Sequence, residues 1–164
     1  MIEYLNDFVK ARTGLVTFNG MSFDIPLLQT RFIANRVQTM LDMHEHLDLL
    51  HVSRRIWGKD FGNCRLATLE REVLGLYRED DVPGSEIPGI YMNFLRNGDT
   101  THLAPILEHN RLDIVSMLAL AIVASETVHE TIDPDNRSPY TYRVARIHET
   151  AKSFDEAAAL YEDC

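Results

Sequence analysis

Three carboxylates and one imidazole stand where the surrounding residues are built for burial. Asp24 is the only charged residue in LVTFNGMSFDIPLL (15–28). It follows Asn19-Gly20, a turn signal, and precedes Pro26, which suits the first turn of a helix. Asp113 opens the apolar run of EHNRLDIVSMLAL (108–120), with His109 four residues earlier on the same helix face. Asp48 lies between leucines in HLDLL (46–50). Each has a plain structural explanation. Asp24 can cap the helix that follows it, His109 and Asp113 can pair or meet water on a helix surface, and Asp48 reads as a core-edge acid or an N-cap. The chemical explanation is that a strand, a turn and an acid at the mouth of a helix present a ligand at the carboxyl edge of a sheet. A buried carboxylate also needs a partner or a metal.

Other groups point less far. His44-Glu45-His46 could direct two imidazoles to one side of a strand, but no cysteine or third histidine stands at a zinc-binding spacing. Arg54, Arg55 and Lys59 beside Trp57 and Phe61 form a small basic-aromatic patch. It could touch a phosphate backbone or stack on a base, or simply be a helix end covering the core. Cys64 reads as a small buried hydrophobe. There is no glycine-rich phosphate loop and no nucleophile–base arrangement.

The elements that must position these residues follow from periodicity and breakers. Residues 2–11 place Ile2, Leu5, Phe8 and Val9 on one face, an amphipathic helix. LVTF (15–18) reads as a short buried strand and 25–35 as a helix. HLDLL reads as a second strand leading into a helix that ends before Gly58. Residues 65–75 form a helix with Leu66, Leu69, Val73 and Leu74 inward and Gly75 as its stop. A polar loop (78–89) precedes another helix, 90–98. Residues 101–126 are the longest helix; its second half is apolar nearly all round and is expected deep in the core. Residues 131–139 read as a linker, and 140–164 as two helices joined near Lys152–Phe154.

Composition sets the outer bounds. At 164 residues the chain has the length of one ordinary domain, and a formal net charge of −9 argues against binding nucleic acid or membrane by bulk charge. Two cysteines make no disulfide framework, so a reducing, cytoplasmic setting is expected. The longest apolar run, 114–124, is too short to span a bilayer, and no membrane partner is expected.

LVTFNGMSFDIPLL followed by HNRLDIVSMLAL resembles the second and third motifs of the DEDD-type 3'-5' exonucleases of the ribonuclease-H-like superfamily, most closely the bacterial YprB-like domain. The resemblance covers residues 1–126 and rests on N-G-x-x-F-D-x-P paired with H-N-R-x-D-x-x-S. It implies two-metal phosphodiester hydrolysis with Mg²⁺ or Mn²⁺ on DNA or RNA. It also implies Asp24 and Asp113 as metal-site acids and a water-orienting role for His109. Substrate contacts would come from Asn19, Gly20, Phe23, Asn110 and Arg111. His109 stands where tyrosine-type members carry Tyr; the histidine-type position is Glu108.

The family opens with a strand carrying Asp-x-Glu, and nothing upstream of LVTF supplies it. The expectation is therefore an α/β ribonuclease-H-like fold truncated at its N-terminus: helix-rich, about two strands, with a C-terminal helical hairpin. Its parts would be a partial exonuclease domain (1–130), a linker (131–139) and a partial tetratricopeptide-like hairpin (140–164). Two acids of four imply impaired catalysis. The alternatives are a non-catalytic nucleic-acid- or protein-binding remnant, or a gene whose true start lies upstream. The bare edge of strand 15–18 is expected to invite self-association.

Overall fold

The computed structural model describes residues 2–39, 41, 45–79, 81–131, 138–162 and 164. His44 and most of the expected linker (132–137) lie outside them. In chain order the elements are α1 (Ile2–Lys10), β1 (Gly14–Thr17), α2 (Asp24–Ala34), β2 (Glu45–Asp48), α3 (Leu49–Ile56) and α4 (Leu66–Glu72). There follow α5 (Ile87–Asn97), α6 (Leu103–Thr131), α7 (Thr141–Thr150) and α8 (Phe154–Glu162). The result is a helix-rich α/β fold whose sheet, among the described residues, has two strands. The chain divides into two compact units, Met1–Cys64 with Val123–Cys164, and Arg65–Ile122.

In the first unit β1 and β2 pair in parallel, from Gly14↔Glu45 to Thr17↔Asp48, with α2 on the connection between them. Val9 of α1, Phe32 of α2 and Leu41 are buried together, joined by Ile2, Leu5, Leu15, Ile25 and Leu28. Ile2, Leu5 and Val9 of the predicted α1 face thus pack inward, whereas Phe8 is exposed beneath Arg12. In α3 the buried residues Leu49, Leu50, Ser53 and Ile56 recur at the spacing of one helical face. α7 and α8 form an antiparallel hairpin that turns at Lys152, whose φ is 64°. Its core is Val144, Ala145 and Leu160, with Val128, Tyr140 and Tyr161 against it.

In the second unit, α5 ends on Gly98 in the left-handed conformation (φ 70°), its N–H donating to Phe94 O. α6 departs from expectation. Ile114, Val115, Leu118 and Ile122 are exposed, while Ser116, Leu120 and Ala124 are buried. A helix apolar all round has no single preferred face, and in this stretch burial is deepest along the line at i, i+4 and i+8. The span Leu103–His129 is long and apolar enough to cross a membrane by length and composition. The core helices of soluble proteins meet the same two criteria.

Candidate active site

Two local arrangements position the predicted residues, one in each unit. In the first, the turn after β1 delivers Asp24. Asn19 takes a left-handed φ of 64°, and Gly20 packs so close that an added Cβ would stand 2.4–2.6 Å from the Thr17 side chain. Thr17 is itself tied by Oγ1 to His46 Nε2 at 2.8 Å. The turn is clamped by Asp48. Its Oδ1 accepts the N–H of Asn19 (2.8 Å) and of Leu50 (3.1 Å), and its Oδ2 accepts the N–H of Met21 (3.0 Å). Asp48 is therefore both the N-cap of α3, as the sequence suggested, and the anchor of the loop leading to Asp24. Burial pushes its carboxyl up, but the three backbone donors outweigh that and hold it below the usual carboxylate range.

Asp24 does not cap its helix. It is the first residue of α2, exposed, and the cap position belongs to Phe23, which makes no side-chain cap bond. The turn over 19–25 already closes backbone bonds from Phe23 N–H to Asn19 O and from Ile25 N–H to Gly20 O, so helical geometry begins before the acid. Asp24 still gains from the positive end of the helix dipole. Phe23 is exposed beside it.

The second arrangement gathers four ionisable side chains around one guanidinium, all within Arg65–Ile122. Arg78, from the polar loop after α4, donates to Glu70, to Asp81 Oδ2 (3.0 Å) and to Asp113 Oδ1 (2.7 Å). Glu70 is buried, at 2% exposure. The desolvation of Arg78 would lower its pKa; hydrogen bonds to Glu70, Asp113 and Asp81 reverse this and raise it, so the charge is permanent. Asp81 also receives His109, whose Nδ1 lies 2.8 and 2.9 Å from its two oxygens. Burial pushes Asp81 up, but His109 and Arg78 prevail and lower it. An ionised carboxylate only accepts, so Nδ1 carries the hydrogen. That leaves Nε2 as the outer nitrogen, 3.5 Å from Asp113 Oδ2. The ring is thus held between two acids, Asp81 at Nδ1 and Asp113 near Nε2.

The predicted pair His109 and Asp113 is thus brought together on α6. Asn110 and Arg111 are exposed on the same helix, and Arg111 is held by Glu108 through two bonds of 2.8 and 2.6 Å. Glu108 serves as that ion-pair partner. Sequence reasoning missed Glu70, Arg78 and Asp81. A signal for Glu70 was present, because it falls on the inward face set by Leu66, Leu69 and Val73. A buried acid there requires a cation. Trp57, considered for base stacking, is buried at 2% and covers the core instead.

The family model of the RNase H superfamily matches residues 1–125. The chain belongs to that superfamily. It is also 33% identical over 152 residues to the uncharacterized protein YprB of Bacillus subtilis (strain 168), covering 92% of this chain and 37% of that relative. No solved structure matches it. Superfamily membership supports a nucleic-acid-processing, nuclease-type function, and members generally use divalent metals. Among the described residues no group of three or more His, Cys, Asp or Glu side chains is placed to hold a metal ion. Asp81 Oδ2 and Asp113 Oδ1 already take hydrogens from Arg78, and the other oxygen of each faces His109. These residues do not form a ready metal site.

Proposed function

We propose that the chain carries part of a phosphodiester-hydrolysing site acting on DNA or RNA, with Asp113 of the second unit as an acid of that site and Asp24 of the first unit as a further candidate acid for the same chemistry. His109 accepts the proton of the attacking water. Asp81 fixes the ring, and Arg78 holds Asp81 and Asp113 in place. The observation that supports this reading is the imidazole held by Asp81 at Nδ1, with Nε2 3.5 Å from Asp113. The DEDD subtype, and Mg²⁺ or Mn²⁺ as the ions, belong to this proposal. So do a reducing, cytoplasmic setting, supported by two free cysteines, and a tetratricopeptide-like role for α7–α8, supported by buried Ala145 and Ala157.

A second reading has its own observation. Arg78 neutralises the acid that would face the substrate, as it would in a unit that binds nucleic acid without cutting it. One experiment separates the two. Labelled single-stranded DNA and RNA are incubated with Mn²⁺ and either the chain or its Asp24→Asn, Asp113→Asn variant. Cleavage by the first and not the second supports hydrolysis. A folded chain that binds but does not cleave supports the second reading.

A further inference from the structure

We infer that the pocket between α3 and α7 in the first unit is a backbone-binding site for single-stranded nucleic acid, separate from the acids discussed above. The pocket encloses about 430 Å³ and is lined by Arg55, Lys59, Tyr142, Arg143, Arg146 and Thr150, with Ile147 at its wall and no acid among its lining residues. Four cations converge there in a chain whose net charge is −9. Asp60 and Glu149 offset two of these charges, and the repulsion that remains favours an anionic occupant.

The four cations are not equivalent. Arg143 is structural: it donates to Asp60 at 2.7 Å and to the carbonyl of Ile56 at 2.6 Å, tying α7 to the end of α3. Arg146 lies 3.5 Å from Glu149, an exposed and weak pairing. Arg55 and Lys59 make no ion pair among the described residues. Arg55 lies in the last turn of α3 and Lys59 in the turn after it, while Arg146 and Thr150 are four apart on α7. Side chains from both segments thus line one groove. This matches a chain of successive phosphates better than a single free phosphate.

The aromatic that the sequence sets beside these cations covers the core, one of the two readings it allowed. Trp57 is buried, whereas Tyr142, contributed from far along the chain, is 53% exposed at the pocket. Tyr161 lies beside it, with ring centroids 5.8 Å apart. An exposed aromatic ring beside a cationic groove is the arrangement that stacks an unpaired base. The choice of nucleic acid over another polyanion rests on the nucleic-acid-processing superfamily. It needs no cleavage.

The test is fluorescence anisotropy of labelled oligo(dT) and oligo(U), in EDTA, between 50 and 200 mM salt. The chain is compared with Arg55→Gln, Lys59→Gln, Arg146→Gln, which leaves Arg143 in place and alters only exposed side chains. Three lost phosphate contacts remove about 2 from the slope of log K against log salt for single strands, so over this range the unaltered chain loses about 20-fold more affinity than the variant. Tyr142→Ala weakens binding about tenfold and Tyr142→Phe does not, because stacking needs only the ring. The same comparisons in the Asp24→Asn, Asp113→Asn background give the same differences, so failure of the hydrolytic reading leaves this result intact. Unchanged affinity and slope in the triple variant would overturn the inference. So would displacement of the oligonucleotide by polyglutamate at equal charge concentration.

Discussion

Replacing Asp48 by asparagine attacks the anchor of the loop that delivers Asp24. The carboxylate is 3% exposed and accepts three backbone N–H groups, two on Oδ1 and one on Oδ2. With its carbonyl oxygen at the Oδ1 position, asparagine keeps the bonds from Asn19 and Leu50 but sets an amide N–H₂ against the N–H of Met21. One buried donor without an acceptor costs about 1–3 kcal/mol, and the two remaining bonds lose their charge assistance, for a total of about 2–4 kcal/mol. That is a large part of the roughly 5–15 kcal/mol that holds a domain together. Urea unfolding should show a lower midpoint at unchanged slope. Amide hydrogen exchange should quicken at Asn19, Met21 and Leu50 first.

The pH dependence fixes the sign. The folded carboxyl of Asp48 titrates below its ordinary value. Its contribution is therefore complete above the unfolded pKa of about 3.9 and is lost as pH falls through the folded value. The gap between the chain and Asp48→Asn should be full at pH 7 and close below about pH 4. An unchanged midpoint at pH 7, with Asn19 and Met21 amides as protected as before, would refute the clamp.

Three further outcomes follow from the packing. Gly20→Ala drives a methyl into the Thr17 side chain, which is tied to His46, and should cost about 1–3 kcal/mol in thermal or urea unfolding. Phe32→Ala, at a fully buried position, should cost about 3–5 kcal/mol, whereas its exposed neighbour Ile33→Ala should stay within about 0.5 kcal/mol. Arg78→Met strips buried Glu70 of its cation and should cost about 3–5 kcal/mol. Adding Glu70→Gln should recover part of that loss in a double-mutant cycle.

Local signals carried most of the fold. Asn19-Gly20, Pro26, Gly98 and the spacing of Ile2, Leu5 and Val9 each act within one or two turns of chain, and the structure uses them where the sequence puts them. The exposure of α6 was not legible, because a run such as DIVSMLALAIVA records how apolar each residue is and not which neighbour covers it. The candidate site divides the same way. His109 and Asp113 lie one helical turn apart, a relation visible in the sequence. Asp81 and Arg78 reach them from 28 and 35 residues away, through a loop whose path no periodicity records. Asp48 looked like a cap and is one. Its second task, holding Asn19 and Met21, depends on the parallel register that sets Thr17 opposite Asp48.

The most direct test of the proposed site is the rate at which His109→Gln cleaves end-labelled single-stranded DNA and RNA with Mn²⁺ under single-turnover conditions. Loss of the proton acceptor should lower the rate about 10²- to 10⁴-fold while oligonucleotide affinity stays unchanged. A variant that cuts at the unaltered rate, or a folded native chain that cuts neither substrate, would contradict the account.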